Sequence, residues 1–516
     1  MTISNTTDPL PPDSSKLSDL HKIRQRIDSV FSADVFQRCG TEFAALMSVH
    51  LQNCFDSNAK VLNWRAPSDA IELVQQELQQ GDSGSTSPED LPDRFRELLS
   101  RTLENAQNLH DPRYIGHQVP ASVPLAGLFD AIGAVTNQVM AVYEMGPWAS
   151  SVEEALIQEI GATIGFAPGT FSGLITHGGS LANLTGLLTA RNVCLPTGWE
   201  AGLATESPRP VLVAHAAAHY SVARAAGVLG IGTENIESVP LDEQGRMSPA
   251  ALREIVQHLT DEGRPIVAVC AAACATPIGA FDDLQAIADI CEEYRIWLHV
   301  DAAHGGAACF SKRYRHLIDG LWRADSVVCD AHKMMFVPAL CAFVFYKNRE
   351  HRFEAFRQNA PYLFDPSDPG LAEHDSGLKT LECTKRAAGF GLWGLWSMFG
   401  RQLFSDLVDS TFAMGRTFYE MLRAADDFAP LHEPECNIVA FRYVPEAMQN
   451  AAPFELGEFQ LRLRRKLIES GEFYLVPTKV DGIGALRCAI INPMTREQHL
   501  RDLLDAIRRW GTRLLS

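Results

Sequence analysis

Two charged residues follow two apolar segments, at the points where buried strands would end. Asp301 closes the segment IWLHVD, and Lys333 comes shortly after SVVCDA. Ligand-binding groups of open α/β sheets usually lie at the carboxyl ends of strands. A lysine there must be paired or desolvated, and desolvation lowers its pKa, which favours imine formation. Each residue alone has a plainer interpretation: Asp301 as a cap for the next loop or helix, and Lys333 as a side chain that reaches solvent past the sheet edge.

Together the two residues match the requirements of pyridoxal 5'-phosphate (PLP). This cofactor needs a lysine for its Schiff base and a carboxylate that keeps its pyridine nitrogen protonated, so that the ring accepts electrons. The segment HGGS, residues 177–180, lies between the strand-like GLIT and a helical pattern and could hold a phosphate. His219 follows the strand-like PVLVA and could stack on a planar ring. Gly-Gly-Ser also occurs in ordinary strand-to-helix turns, and a lone histidine is more often structural.

The elements around these residues predict an α/β fold. Between about residues 111 and 400, runs rich in Val, Ile, Ala and Cys alternate with helical patterns. This arrangement is typical of a mostly parallel sheet covered on both faces. Before residue 111 the apolar residues recur mostly at helical spacing, and after residue 400 two strand-like runs lie between helical patterns. We therefore predict a helical N-terminal segment over residues 1–110, a large cofactor-binding domain over 111–400, and a small α+β C-terminal domain over 401–516.

The composition excludes several classes of protein. The 516 residues include 45 Lys and Arg against 63 Asp and Glu, so the formal charge of -18 would repel nucleic acid. No apolar run reaches the ~18 residues of a membrane span. The twelve cysteines include no close pair such as C-x-x-C, which favours a reduced, cytoplasmic protein without a metal site. We expect a small-molecule substrate and neither a nucleic-acid nor a membrane partner.

Two motifs, HVDAAHGG at residues 299–306 and DSVVCDAHK at residues 325–333, resemble the group II PLP-dependent amino-acid decarboxylases. That family includes the aromatic amino-acid, glutamate, cysteine-sulfinate and 2,4-diaminobutyrate decarboxylases. The resemblance extends over about residues 112–493. It implies a PLP-dependent transferase-like fold (fold type I, aspartate aminotransferase-like), PLP as the cofactor, and a homodimer.

The resemblance also implies roles for individual residues. Lys333 corresponds to the Schiff-base lysine, Asp301 to the partner of the pyridine nitrogen, and His219 to the histidine that stacks on the ring and helps to fix the substrate. Thr276 corresponds to the family's threonine near the cofactor, although it lies in AACATPIG, which replaces a run that is usually rich in Gly and Thr. The other positions that correspond to cofactor contacts are Gly179, Ser180, Ala303 and His332.

A long polar, proline-rich segment contains NAPY at residues 359–362, and such loops often close over sites. Tyr362 corresponds to the mobile-loop tyrosine that returns a proton to the carbon from which carbon dioxide leaves. Relatives that carry out oxidative deamination tend to carry Phe here, so Tyr362 favours plain decarboxylation. A tyrosine in a loop can also be a simple surface anchor.

The resemblance narrows the substrate only to a class. Arg487 aligns with the arginine that holds the substrate carboxylate in the glutamate decarboxylase branch, and a guanidinium suits a carboxylate. HDPRYIGHQ, residues 110–118, points to the same branch and implies that Tyr114, His117 and Gln118 line the side-chain pocket. We expect a small polar or charged amino acid: glutamate, aspartate, cysteine sulfinate or 2,4-diaminobutyrate. The alternatives are a PLP-dependent lyase, desulfinase or aldehyde synthase on the same fold, and a catalytically silent protein that holds the cofactor.

Overall fold

The computed structural model describes residues 14–83, 87, 89–203, 208–357 and 373–516. The chain divides into two compact units, residues 1–111 with 469–471, and residues 112–468 with 472–516. The domain boundaries expected after residues 110 and 400 stay predictions. None of the described helices combines the length and the apolar character that a membrane crossing needs.

The first unit is helical, as the spacing of its apolar residues predicts. Ser32 caps the second helix by accepting a hydrogen bond from the backbone N–H of Val35 at 3.3 Å. An ion pair of 2.6 Å between Arg94 and Glu77 joins the fourth helix to the third. The helices are α1 (Ser14–Val30), α2 (Ala33–Phe55), α3 (Pro67–Ser83) and α4 (Leu91–Asn105).

The second unit is built on a seven-stranded sheet. Its strands are β2 (Ser172–Thr176), β3 (Val211–His215), β4 (Ile236–Val239), β5 (Ile266–Ala272), β6 (Leu298–Asp301), β7 (Ser326–Asp330) and β8 (Ala342–Tyr346). Their spatial order is β2-β8-β7-β6-β5-β3-β4. Within this sheet β8 runs antiparallel to β2 and β7, and the other neighbouring strands are parallel.

Both faces of this sheet are covered. Val327 and Cys329 of β7 contact one hydrophobic core, whereas Val328, between them, contacts a second core. Burying a valine side chain stabilises the fold by about 1.5–3 kcal/mol. The continuous apolar runs therefore mark strands buried on both sides, as predicted.

Helices cover the sheet and connect its strands. They are α5 (Pro124–Val135), α6 (Pro147–Ile164), α7 (Gly179–Cys194), α8 (Tyr220–Val228), α9 (Pro249–Asp261), α10 (Leu284–Tyr294), α11 (Ala331–Met334) and α12 (Phe390–Arg423). A kink at Gly400 (φ 66°) interrupts α12. The short strands β1 (Val139–Met140) and β9 (Lys385–Arg386) pair with each other.

The C-terminal part of this unit contains a four-stranded antiparallel sheet. Its strands are β10 (Phe428–Pro430), β11 (Ile438–Tyr443), β12 (Val476–Val480) and β13 (Ile483–Ala489), in the order β10-β11-β13-β12. Helices α13 (Pro453–Ser470) and α14 (Glu497–Leu515) accompany it. Leu500, Leu503 and Ile507 of α14 are buried in its core.

The sheet directions bring six strand ends to one edge. Strands β3, β4, β5, β6 and β7 are parallel, and β2 has the same direction because it is antiparallel to β8. The segments that follow these strands carry the predicted site residues, including Asp301 at the end of β6 and Lys333 in α11. The carboxyl edge of the sheet is therefore where a site must be sought.

Candidate active site

A cavity of about 300 Å³ lies at this edge of the sheet. Nine of the residues that the sequence singles out line it: Gln118, Gly179, Ser180, His219, Thr276, Asp301, Ala303, His332 and Lys333. Its other lining residues are His177, Gly178, Asn183, Cys274, His304, Asp330 and Leu340. The fold thus gathers residues from segments that are far apart in the sequence.

Lys333 forms an ion pair with Asp330, with 3.2 Å between its Nζ and the carboxylate Oδ2. Burial acts to lower the pKa of Lys333, but the carboxylates of Asp330 and Asp301 raise it, and the net pKa lies above the ordinary value. The lowered pKa expected from desolvation alone is therefore wrong. The reason is Asp330, whose carboxylate forms an ion pair with the lysine and stabilises its charged form.

Asp301 is held by two hydrogen bonds. Its Oδ1 accepts from the backbone N–H of Ala303 at 3.1 Å, and its Oδ2 accepts from the Nδ2 of Asn183 at 2.9 Å. Asn183 lies on α7, the helix that begins with Gly179. The carboxylate is thus fixed in orientation by a backbone group of its own loop and by a side chain of a neighbouring helix.

Behind Asn183 a chain of hydrogen bonds runs into the core. The Oδ1 of Asn183 is 2.9 Å from the Nε2 of His299, and the Nδ1 of His299 is 2.8 Å from the hydroxyl of Ser326. The same hydroxyl accepts from the indole N–H of Trp297 at 2.8 Å. Because the Oδ1 of Asn183 can only accept, a neutral His299 carries its proton on Nε2, and its Nδ1 accepts from the hydroxyl of Ser326. Burial lowers the pKa of His299 to about 4, so the ring is neutral near pH 7.

The same amide also determines the tautomer of His219. Asn183 donates to the Oγ of Ser221 at 2.9 Å, and this Oγ lies 2.7 Å from the Nδ1 of His219. The backbone N–H of Ser221 also points at this Nδ1, at 3.3 Å. Nδ1 therefore accepts, and a neutral His219 carries its proton on Nε2. Burial lowers the pKa of His219, which favours the neutral ring.

The turn before α7 requires glycine at two positions. Gly178 has φ +117°, a conformation that side chains rarely adopt, and a Cβ on Gly179 would lie 2.7 Å from the Oδ2 of Asp330. This close approach leaves the backbone N–H groups at the start of a 16-residue helix next to the cavity. His332 is fixed nearby by the backbone of Cys341, whose carbonyl oxygen and nitrogen lie 2.9 Å and 3.3 Å from its Nδ1. A phosphate group fits such a turn.

The predicted substrate residues do not all line the cavity. Gln118 lines the cavity, and its Oε1 accepts from the Nη2 of Arg487 at 2.9 Å. Tyr114 is buried and stacks on Tyr474, with 5.3 Å between ring centroids. Among the described residues, the cavity lining does not include Tyr114, His117 or Arg487. Tyr362 lies outside the described residues.

Three residues of the site were not predicted from the sequence: Asn183, His299 and Asp330. Each has a signal in the sequence. Asn183 is four residues after Gly179 and so lies on the same side of α7. His299 precedes Asp301 by two positions in a strand and points to the same face. A carboxylate close before the candidate lysine, Asp330, is visible in CDAHK.

Comparisons with known proteins decide the family. A model of the pyridoxal-dependent decarboxylase conserved domain matches residues 67–444. The chain belongs to this family. The human protein named acidic amino acid decarboxylase GADL1 is 31% identical to this decarboxylase over 462 residues, which cover 88% of this chain and 86% of that protein.

Solved structures agree with the family. The crystal structure of mouse CSAD superposes with a TM-score of 0.84 at 26% identity, covering 93% of this chain and 99% of that one. Oryza sativa TDC, solved with PLP and tryptamine, gives a TM-score of 0.84 at 24% identity and covers 94% and 99%. The latter likeness shows the fold alone. Fold type I, as predicted, is confirmed.

The chain is a PLP-dependent amino-acid decarboxylase, so the predicted family, cofactor and reaction are confirmed. The geometry of the decarboxylase fits its cofactor. A lysine, a fixed carboxylate and a glycine turn at a helix start surround one cavity, and these groups suit an aldehyde, a pyridine nitrogen and a phosphate.

Proposed function

We propose that this decarboxylase acts on an acidic L-amino acid and that Arg487 holds a substrate carboxylate. The observation that carries the proposal is the state of Arg487, which is 6% exposed. Its Nε is buried without a hydrogen-bond partner, and the groups that act on its charge are the thiols of Cys274, Cys436 and Cys488. A buried guanidinium without an anion is unfavourable, and a carboxylate is its natural complement. The name of the human relative, an acidic amino acid decarboxylase, supports this choice.

We assign the remaining roles to residues around the cavity. When bound, PLP supplies a ring that takes up the electron pair left behind as carbon dioxide departs. Asp301 would hold a proton at the pyridine nitrogen, and Lys333 would attach the cofactor. His219, with its proton on Nε2, would lie against the ring. Gly179, Ser180 and His332 would bind the phosphate, and Thr276 and Ala303 would contact the cofactor.

Proton return after carbon dioxide loss is assigned to Tyr362. Its phenol would donate a proton to the substrate carbon, and the Nζ of Lys333 would be the amine that holds the cofactor between turnovers. Gln118 orients Arg487 through the hydrogen bond of 2.9 Å. Tyr114 and His117 contribute to the substrate side through Tyr474, on which Tyr114 stacks and from which the His117 ring lies 5.7 Å away.

The test measures carbon dioxide release from single amino acids by the purified protein with PLP. We expect faster release from aspartate, glutamate or cysteine sulfinate than from 2,4-diaminobutyrate or tryptophan. Arg487→Lys should raise KM for the acidic substrate by about 10- to 100-fold, since a charged hydrogen-bonded contact contributes about 1.5–3 kcal/mol. Arg442→Lys is the matched control, because Arg442 on β11 donates to the backbone carbonyls of residues 480, 483 and 484. A preference for 2,4-diaminobutyrate or tryptophan, or an unchanged KM in Arg487→Lys, would overturn the proposal.

We also propose a cytoplasmic homodimer. All twelve cysteines are free thiols, which supports a reducing compartment. The first unit exposes apolar side chains, among them Phe31 (85%), Val30 (68%) and Phe36 (62%), which supports an interface there. Sedimentation of the protein with PLP tests the dimer, and cell fractionation tests the location.

A further inference from the structure

Three buried residues near the cavity bring together sulfur and nitrogen ligands. They are Cys274, after β5, His304, after β6, and Cys436, just before β11. Their ligand atoms all lie within 4.8 Å of one another, and the two sulfur atoms are 4.0 Å apart. Cys274 and His304 also line the cavity. Because the three residues are far apart along the chain, no spacing motif marks them.

His304 has one ring nitrogen without a partner. Its Nε2 is 2.8 Å from the Oδ1 of Asn437. The amide nitrogen of Asn437 donates to the carbonyl of Ile490 at 3.2 Å, so the oxygen faces His304 and Nε2 carries the proton. Nδ1 therefore presents a lone pair, and it is buried with no hydrogen-bond partner. Burial lowers the pKa of His304 to about 3, which keeps the ring neutral.

We propose that Cys274, His304 and Cys436 form a binding site for a soft divalent cation, with Zn²⁺ as the representative ion. Tetrahedral zinc with Zn–S bonds of about 2.3 Å separates two thiolates by about 3.8 Å, close to the 4.0 Å observed. Zinc-bound histidines usually donate their second ring N–H to an oxygen, as His304 does to Asn437. The donor set and its outer contact both match zinc.

The fourth coordination position faces the cavity. Two of the three ligands line that cavity together with Lys333, so water or a carboxylate from the cavity completes the tetrahedron. A three-residue set with one open position is the arrangement of exchangeable and catalytic zinc. An ion held there lies beside the residue that attaches the cofactor, and we expect it to inhibit decarboxylation reversibly.

The charges of the site balance. Binding of the ion displaces the protons of both thiols to solvent, and two thiolates neutralise the 2+ charge. The thiol of Cys436 gives up its weak hydrogen bond of 3.6 Å to the carbonyl of Gly279. The hydrogen bond with Cys436 and burial raise the pKa of the Cys274 thiol well above its ordinary value, so the ion itself must displace the proton, and the positive charges of Lys333 and Arg487 act in the same direction as the ion. No electron transfer is involved, so the site needs no oxidant or reductant.

The direct test is a titration of the reduced holoenzyme with Co²⁺, whose thiolate charge-transfer absorption reports sulfur ligation without turnover. We expect one Co²⁺ per chain, displaced by Zn²⁺. Cys436→Ser should weaken Co²⁺ binding at least about a hundredfold. Loss of a residue that only hydrogen-bonds to a metal ligand already reduces metal affinity about 10- to 100-fold, and loss of a ligand itself should cost no less. Cys488→Ser, in a buried cysteine on β13 outside the cluster, is the matched control and should bind Co²⁺ like the parent. His304→Gln should keep part of the charge-transfer absorption and lose affinity.

Inhibition provides a second measurement. Zn²⁺ should inhibit the parent and Cys488→Ser, with recovery on adding a chelator, and should not inhibit Cys436→Ser at the same concentration. The proposal is overturned if Co²⁺ gives no thiolate absorption, or if Cys436→Ser retains it while circular dichroism shows native folding. A third outcome would also overturn it: the reduced chain binds no ion, and treatment with peroxide lowers the number of free thiols by two in the parent but by none in Cys436→Ser. That result would show that Cys274 and Cys436 form a disulfide instead of binding an ion. Because ion binding needs no turnover, these outcomes do not depend on the proposed substrate.

Discussion

Two groups of buried polar residues at and behind the cavity differ in how completely they are hydrogen-bonded, and we call them the two sides of the site. On one side, the hydrogen-bond chain of Trp297, Ser326, His299, Asn183 and Asp301 gives every member a partner at 2.8–2.9 Å. On the other side, the Nε of Arg487 and the Nδ1 of His304 are buried without one. A satisfied network holds one geometry, as a resident cofactor requires. Unpartnered groups are completed by a ligand that enters and leaves.

The largest effect is expected at Lys333, which lines the cavity. Lys333→Ala should abolish turnover and the visible absorption of the bound cofactor together, since both depend on the bond to Nζ. Lys347→Ala is the control, because Lys347 is exposed and follows β8 at the opposite edge of the sheet. Absorption and carbon dioxide release are measured on both variants. Full activity in Lys333→Ala would contradict the assignment of the cofactor lysine.

Asn183→Ala tests whether the satisfied side acts as a unit. The change leaves Asp301, His299 and Ser221 each without one hydrogen bond. We expect kcat to fall about 10- to 100-fold, because each unsatisfied group costs about 1–3 kcal/mol and 1.4 kcal/mol corresponds to a factor of ten.

The absorption spectrum of the cofactor in Asn183→Ala should depend on pH differently from the spectrum in the parent. Such a difference would show that Asn183 positions the groups at the cofactor and does not only stabilise the fold. Asn192→Ala is the control, since Asn192 lies on the same helix and donates to the backbone carbonyls of Glu354 and Ala355. It should lower stability and leave the cofactor spectrum unchanged. Equal effects of the two variants on kcat and on the spectrum would show that the hydrogen-bond chain has no special role.

The fold and the site also differ in how much of each can be predicted from the sequence. The central strands are recognisable because both faces are buried, whereas β4, β10 and β12 are edge strands with less apolar sequences and were missed. Asp301 and Lys333 are found because Asp301 ends β6 and Lys333 closely follows the adjacent strand β7. The directions of hydrogen bonds at Asn183 and the meeting of Cys274 with Cys436 depend on tertiary packing, for which a single sequence has no local pattern.

Each of the two sides contains a buried neutral histidine. The contribution of these histidines to stability can be measured separately because it depends on pH. Burial lowers the pKa of His299 to about 4 and that of His304 to about 3, against about 6.5 in an unfolded chain. Below pH 6.5 the unfolded chain therefore binds protons that the folded chain does not. The stability from each ring is complete above pH 6.5 and falls as the pH decreases towards the folded pKa, by up to about 1.4 kcal/mol per pH unit.

Removing one of these rings should flatten the pH dependence. We expect His304→Gln to lose less unfolding free energy than the parent between pH 7 and pH 5, measured by denaturant titration with PLP present. The exposed His316 offers the matched control, and His316→Gln should follow the parent. If His304→Gln and the parent lose the same free energy, folding does not lower the pKa of His304, and the ring takes up a proton over the same pH range as in the unfolded chain. At pH 5 its Nδ1 would then carry a proton rather than a lone pair, and at that pH the contrast between the two sides would rest on Arg487 alone.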